Sequence, residues 1–344
     1  MYDKSECQTG IVHIGYGNFH RAHQAMYIDE YMEKTGDLRW GIVAVNLRNE
    51  GFREIDDYIV KTPTKYTRVR SHLDYIDWTK NRTIAKHMLT LPSVHLITIT
   101  VTESGYTPGS PLFEYLACGL RNRNSPITIL CCDNIHQNGV VLETQFLAYL
   151  YQTNQHELAD WIRENVKFPS CMVDRITPRT TDTLRSEIED IFPGFGYNAV
   201  QTEEYTQWVI EDKFSSARPN FELAGIQMVS NVELHEKMKL RCLNGTHSAL
   251  AYLGYLAGCN TIAECVSDDS MLNYTQYLWE REITPTLETP EGENLNDYCS
   301  KLLDRYQNPA IEHRTWQIAM DGSQKLPQRI LETVSDLIKN KSDF

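Results

Sequence analysis

The rhythm of apolar and polar positions changes near residue 230. Before it, short apolar runs are separated by stretches with helical spacing. Ile11 to Ile14 predicts a short buried strand, Trp40 to Leu47 a second, Val94 to Val101 a third and Ile127 to Cys132 a fourth. Between the first two, His20 to Lys34 carries apolar residues at helical spacing and ends at Gly36. Strands alternating with helices predict βαβ units and a largely parallel sheet. From Val232 onward strand-like runs disappear. Leu243 to Ala257, Asp268 to Arg281, Asn294 to Tyr306 and Pro327 to Lys339 each read as helix. The change divides the chain into residues 1–230 and a mostly α-helical part, residues 231–344. A chain of 344 residues has room for both, at roughly 150 residues per domain.

The junction of the first strand and first helix reads Val12-His-Ile-Gly15-Tyr-Gly17-Asn18-Phe19-His20. Two glycines at a strand–helix turn allow a tight bend and close backbone approach to a pyrophosphate at the helix N-terminus. The first part therefore reads as a Rossmann-type dinucleotide-binding domain, with Gly15 and Gly17 at the cofactor. His20 stands where the usual fingerprint has a third glycine, and an ordinary βα turn fits the same two glycines. The second strand runs into Asn46-Leu-Arg48-Asn-Glu50. A carboxylate there accepts the adenosine ribose hydroxyls and repels a 2′-phosphate, so Glu50 points to NAD over NADP. Arg48 has the opposite tendency, because a guanidinium pairs with a 2′-phosphate.

In the second part, Lys239-Leu-Arg-Cys-Leu-Asn244-Gly-Thr-His247 sets an amine, a carboxamide and an imidazole at i, i+5 and i+8. On an ideal helix these fall within an arc of roughly 140°, and Glu236 shares it. Leu240 and Leu243 also lie in that arc, so a solvated lysine, a capping asparagine and a core histidine fit the same spacing.

Composition narrows the field of partners. Hydrophobic residues make up 41% and charged residues 23%, ordinary for a globular protein. A net charge of −13 with no Lys/Arg block argues against nucleic acid or an anionic membrane, though not against a small anionic substrate in a local cationic pocket. The start, Met1-Tyr-Asp-Lys-Ser-Glu-Cys, lacks the apolar core of a signal peptide, and no apolar run approaches the ~18 residues of a membrane span. Nine scattered cysteines fit reduced thiols in a cytoplasm. There is no Cys-x-x-Cys, so no zinc site is expected. Cys131 and Cys132 read as small buried hydrophobes.

Taken together, these segments resemble the long-chain polyol dehydrogenases, the mannitol dehydrogenase family that includes hexuronate reductases. Gly15 to His23 is similar to the family's cofactor turn, Thr102-Glu103-Ser-Gly105-Tyr106 to its Thr-Glu-x-Gly-Tyr segment, and Cys132-Asp133-Asn134 with Asn138-Gly139 to its Cys-Asp-Asn…Asn-Gly segment. Phe168 to Pro178, Gln207 to Asp212 and Lys239 to His247 resemble further blocks, in the family's order and over most of the chain.

The resemblance implies that Gly15, Gly17, Asn18, Phe19, Arg48, Glu50, Thr102 and Glu103 serve NAD. It implies that Lys239 is the general base of alcohol oxidation and the general acid of ketone reduction. Asn134 and Asn244 would hydrogen-bond the reacting oxygen, His247 would orient the substrate, and Glu236 would relay the proton. A lysine desolvated beside a cofactor suits this task, and the nicotinamide carries the hydride without zinc. Glu312 to Pro327 resembles the fructuronate reductase branch, in which Arg314 or Lys325 would pair with a substrate carboxylate. Glu204-Tyr205-Thr206 departs from that branch, and the stretch from Tyr106 to Ile127 is short for the family. The implied activity is NAD-dependent interconversion of a secondary alcohol and ketone on a sugar acid or polyol, D-mannonate/D-fructuronate before D-mannitol/D-fructose. A non-catalytic dinucleotide sensor on the same fold is the rival reading.

Overall fold

A computed structural model describes residues 1–48, 57–107, 109–309 and 313–340. Its contacts divide the chain into two compact units, Met1–Val232 and Glu233–Phe344.

The described strands are β1 (Thr9–Ile14), β2 (Gly41–Asn46), β3 (Tyr58–Lys61), β4 (Tyr66–Val69), β5 (His72–Asp77), β6 (Leu96–Ile99), β7 (Ile127–Cys131), β8 (Val166–Lys167), β9 (Cys171–Asp174), β10 (Val200–Gln201), β11 (Gln207–Glu211) and β12 (Gln227–Val229). Six of them form one sheet in the order β5-β2-β1-β6-β7-β8, every pairing parallel. This is the Rossmann-type architecture that the alternating strands and helices predict. A parallel sheet is covered on both faces, so its central strands are buried throughout rather than at alternate positions. Odd and even positions then feed different cores. Val12, Val43 and Ile97 lie in one, and Ile11, Ile42 and Leu96 in the other.

The chain leaves β1 toward β2 and β5, then returns to the other side of β1 for β6, β7 and β8. The strand order reverses between β1 and β6. A crevice beyond the carboxyl ends of these two strands is where such sheets bind ligands.

Local differences from the sequence expectation have local causes. The helix read over His20 to Lys34 is two helices, Asn18–Ala22 and Gln24–Thr35. They break at His23, whose φ of −124° and ψ of −88° leave the helical region. Gly36 closes the second with φ +69°. The third strand of the main sheet, β5, escaped notice because His72-Leu-Asp-Tyr-Ile-Asp mixes polar residues into an edge position. Two small sheets, β10-β3-β4 and β12-β11-β9, were also missed.

The second unit is helical in its described residues, apart from an isolated bridge between Thr261 and Arg314. The helix Glu233–Lys239 passes through a π-helical turn, Leu240–Gly245, into the helix Thr246–Ala257. A second π segment, Leu278–Ile283, follows the helix Asp269–Tyr277, and the helices Leu295–Tyr306 and Glu332–Lys339 complete its main body. Met238, Cys242, Leu250, Trp279, Leu302 and Tyr306 share its core.

Candidate active site

The glycine turn is dictated by space as well as by conformation. Gly15 has φ +101°, a region that side chains disfavour. A Cβ there would lie 2.0 Å from the Thr100 carbonyl oxygen at the end of β6. The neighbouring strand stitches the turn in place. The Gly15 amide donates to Val45 O at 3.0 Å, and the Tyr16 amide to the Asn46 side-chain oxygen at 2.6 Å. Gly17 precedes the helix Asn18–Ala22 and donates back to Gly15 O at 2.8 Å.

The third-glycine position has gone to a buried histidine cluster beneath the turn. His20 stacks on His13 with ring centroids 3.2 Å apart, and its Nε2 lies 2.9 Å from His72 Nε2. His13 Nε2 in turn meets Gly15 O at 2.9 Å. Burial pushes all three imidazoles well below their ordinary range, His13 to about 3. They are neutral packing and hydrogen-bonding groups.

A cleft of about 250 Å³ opens at this reversal of strand order. Gly15, Gly17, Arg48 and Thr102 line it, and the structure thus gathers four of the residues assigned to the cofactor. Asn18 and Phe19 do not line it. The Asn18 carboxamide donates to Thr180 Oγ1 at 3.0 Å and accepts from Arg21 at 2.5 Å, while Phe19 stacks on His23 at 5.0 Å. Their side chains are engaged in these contacts instead of lining the cleft. Glu103 starts the short 3-10 helix Glu103–Tyr106. Glu50 lies outside the described residues. The bare-glycine cradle and the cleft fit a dinucleotide.

Beyond the end of β7 comes Asp133, which the sequence reading passed over in favour of its neighbour. Its carboxylate accepts the Val101 amide at 3.0 Å, the Thr102 amide at 3.0 Å and the Tyr106 hydroxyl at 2.5 Å. Thr102 adopts φ 68° and ψ 167°, a conformation otherwise left to glycine that costs on the order of 1–3 kcal/mol. Asn134 is exposed in the loop that follows. Asn138 anchors that loop, donating to Asp133 O at 3.0 Å and Cys171 O at 2.7 Å. Cys131 and Cys132 are buried.

In the second unit, Lys239 is buried and ends its helix just before the π turn, with Glu236 buried one turn earlier. A π turn closes its hydrogen bonds at i→i+5, which brings residue i+5 close to the face of residue i. Asn244 is i+5 from Lys239, so the π geometry aligns the amine and carboxamide more closely than the ideal-helix arc allows. The carbonyls of this turn find side-chain donors. Trp279 Nε1 donates to Cys242 O at 2.9 Å and the Tyr306 hydroxyl to Leu243 O at 2.8 Å. Arg241 ties the same turn to Asp336 at 2.6 Å. Gly245 admits no Cβ, which would meet Arg329 O at 2.6 Å.

His247 follows on the next helix, buried; its ring stacks on Tyr306 at 5.4 Å and lies tilted against His313 at 4.8 Å. Its pKa falls well below the usual histidine range, first through burial and then through the charges of His313, Arg329 and Arg305. The ring is neutral. Its Nε2 is buried and has no hydrogen-bond partner among the described residues.

The two cations assigned to a substrate carboxylate sit differently. Arg314 is exposed at the start of the helix Thr315–Ala319. The Lys325 amine donates to Met320 O at 2.7 Å and lies 3.7 Å from Asp321. The guanidiniums that bear on His247 belong to Arg305 and Arg329, which sequence reasoning missed. Arg329 lies two residues past the block that resembled the fructuronate reductases, and reading that block further would have reached it. Among the described residues no group of three His, Cys, Asp or Glu side chains is placed to hold a metal ion.

Residues 9–223 match the family model described as the mannitol dehydrogenase Rossmann domain, and residues 231–344 match the mannitol dehydrogenase C-terminal domain. The chain is 38% identical to a D-mannonate oxidoreductase of Escherichia coli, with 98% of the chain and 78% of that protein aligned. It is 35% identical to a mannitol 2-dehydrogenase of Phaeosphaeria nodorum, with 98% of the chain but 66% of that protein aligned. Among solved structures it superposes on a substrate-free D-sorbitol dehydrogenase with TM-score 0.90 at 30% identity, covering 99% of this chain and 78% of the other. A Pseudomonas fluorescens mannitol 2-dehydrogenase, solved as a ternary complex with NAD and D-mannitol, gives TM-score 0.88 at 30% identity over 99% and 77% of the two chains.

Proposed function

The chain belongs to the mannitol dehydrogenase family, and from that premise we propose that it is an NAD-dependent oxidoreductase interconverting a secondary alcohol and a ketone on an open-chain sugar acid, D-mannonate/D-fructuronate before D-mannitol/D-fructose. The nicotinamide of bound NAD(H) supplies or receives the hydride at the reacting carbon.

The chain's own residues do the rest. The Gly15–Gly17 turn and the Thr102 segment cradle the dinucleotide. Lys239 protonates the ketone oxygen in reduction and accepts the hydroxyl proton in oxidation. Asn134 and Asn244 donate hydrogen bonds to that oxygen as alkoxide character develops. The neutral His247 ring uses its unsatisfied Nε2 to hold an adjacent substrate hydroxyl. Glu236, one turn before Lys239, passes the proton on.

The observation that carries this reading is the π turn. It brings Lys239 and Asn244 toward one face and is followed at once by a buried imidazole whose Nε2 has no partner among the described residues. A buried polar atom without a partner is costly unless a ligand completes it. The preference for a sugar acid is supported by the resemblance of Glu312 to Pro327 to the fructuronate reductase branch and by the 38% identity to a D-mannonate oxidoreductase; Arg305 and Arg329 are cations of the kind that pair with a carboxylate. Arg314 and Lys325 are the other candidates for that carboxylate.

The test is NADH oxidation with D-fructuronate, D-tagaturonate, D-fructose and D-xylulose. D-fructuronate should give the highest kcat/KM. Turnover of D-fructose alone would move the substrate to the polyol branch. Turnover of none would leave a dinucleotide-binding protein without catalysis.

A further inference from the structure

The Asp133 carboxylate does something that its place beside Asn134 does not explain. Three donors converge on its two oxygens: the amides of Val101 and Thr102, and the hydroxyl of Tyr106. Two of these are consecutive amides just past the end of β6, where the strand order of the sheet reverses. The second belongs to Thr102, a β-branched residue at φ 68° and ψ 167°. A threonine leaves that conformation unless something outside it imposes the turn. The Thr102 carbonyl then accepts the Gly105 amide at 2.9 Å, which opens the short helix Glu103–Tyr106. Thr102 lines the same cleft as Gly15 and Gly17.

We propose that Asp133 is a positioning residue for the dinucleotide. It acts through the Thr102 backbone, holding that segment in a left-handed conformation that shapes the cleft wall facing the Gly15 turn. This rests on the cofactor reading above. The chemistry requires a carboxylate. A carboxamide has one acceptor oxygen, and its NH₂ would face one of the backbone N–H groups. Asp133→Asn therefore breaks the clamp with almost no change of shape. Glycine adopts φ 68° freely, so Thr102→Gly removes the need for the clamp.

The experiment is NADH binding to the full chain, read by cofactor fluorescence, with thermal unfolding followed in parallel. Wild type should bind. Asp133→Asn should raise the Kd by at least about tenfold. Adding Thr102→Gly to Asp133→Asn should bring the Kd back to within about threefold of wild type, a coupling that a general loss of stability does not produce. If Asp133→Asn alone does not fold, the double variant should fold and bind, and its failure to do so overturns the proposal. Unchanged binding by Asp133→Asn overturns it, as does a loss that Thr102→Gly leaves untouched. If wild type itself binds no NADH, the cofactor reading falls, and the clamp's role with it.

Discussion

At the scale of single residues, burial sets the protonation state of five histidines. His13, His20 and His72 are sealed beneath the glycine turn, and in the second unit His247 is buried and His313 half-buried. Each has its pKa lowered from 6.5, chiefly by desolvation, to about 3 for His13 and about 4 for His313. The unfolded chain takes up these protons near pH 6.5 while the folded chain refuses them, so stability is full above that pH and is lost as pH falls below it. Each such histidine removes up to about 1.4 kcal/mol per pH unit in its window. The Tm followed by circular dichroism should therefore drop steeply from pH 7 to pH 5. A flat Tm over that range would mean that these rings are protonated in the native state. None of this was legible from spacing, which located His20 and His247 in their motifs but not their burial. Asp133 was likewise printed beside Asn134, yet its role depends on a backbone angle at Thr102, over thirty positions earlier in sequence, that no pattern of residue types encodes.

At the scale of elements, the π turn Leu240–Gly245 sets the register of the proposed catalytic block in the second unit. Lys239, Asn244 and His247 stood out in the sequence, but an ideal helix spreads them over a wide arc with two leucines between. The π turn corrects the register, and it is held by groups far along the chain. The Tyr306 hydroxyl is one of them, bonded to Leu243 O while its ring lies against His247. Tyr306→Phe keeps the ring and removes that bond, leaving a buried carbonyl short of a donor at a cost of about 1–3 kcal/mol. The expected result is a lower Tm and a lower kcat with D-fructuronate, with NADH affinity unchanged. A variant with wild-type kcat would mean that the turn needs no anchoring from Tyr306. The main sheet was legible because its central strands are buried on both faces and therefore rich in apolar residues. β5 and the two small sheets were not, because polar residues at edges and short pairings blur the apolar pattern on which strand reading depends.

At the scale of the molecule, the first unit bears the cleft lined by Gly15, Gly17, Arg48 and Thr102, and the second bears Lys239, Asn244 and His247. An overall charge of −13 coexists with guanidiniums near His247, so the protein's field as a whole says little about its substrate. What did carry over from sequence to molecule was the order of the motif blocks, which the matches over residues 9–223 and 231–344 bear out. In the proposed reaction Lys239 moves the proton while the first unit holds the cofactor. The most direct test pairs NADH titration with steady-state reduction of D-fructuronate by Lys239→Ala. The account predicts an unchanged Kd for NADH and a kcat lowered by about 10²–10⁴-fold. A variant that retains most of its kcat, or one that loses turnover only because NADH no longer binds, would contradict it.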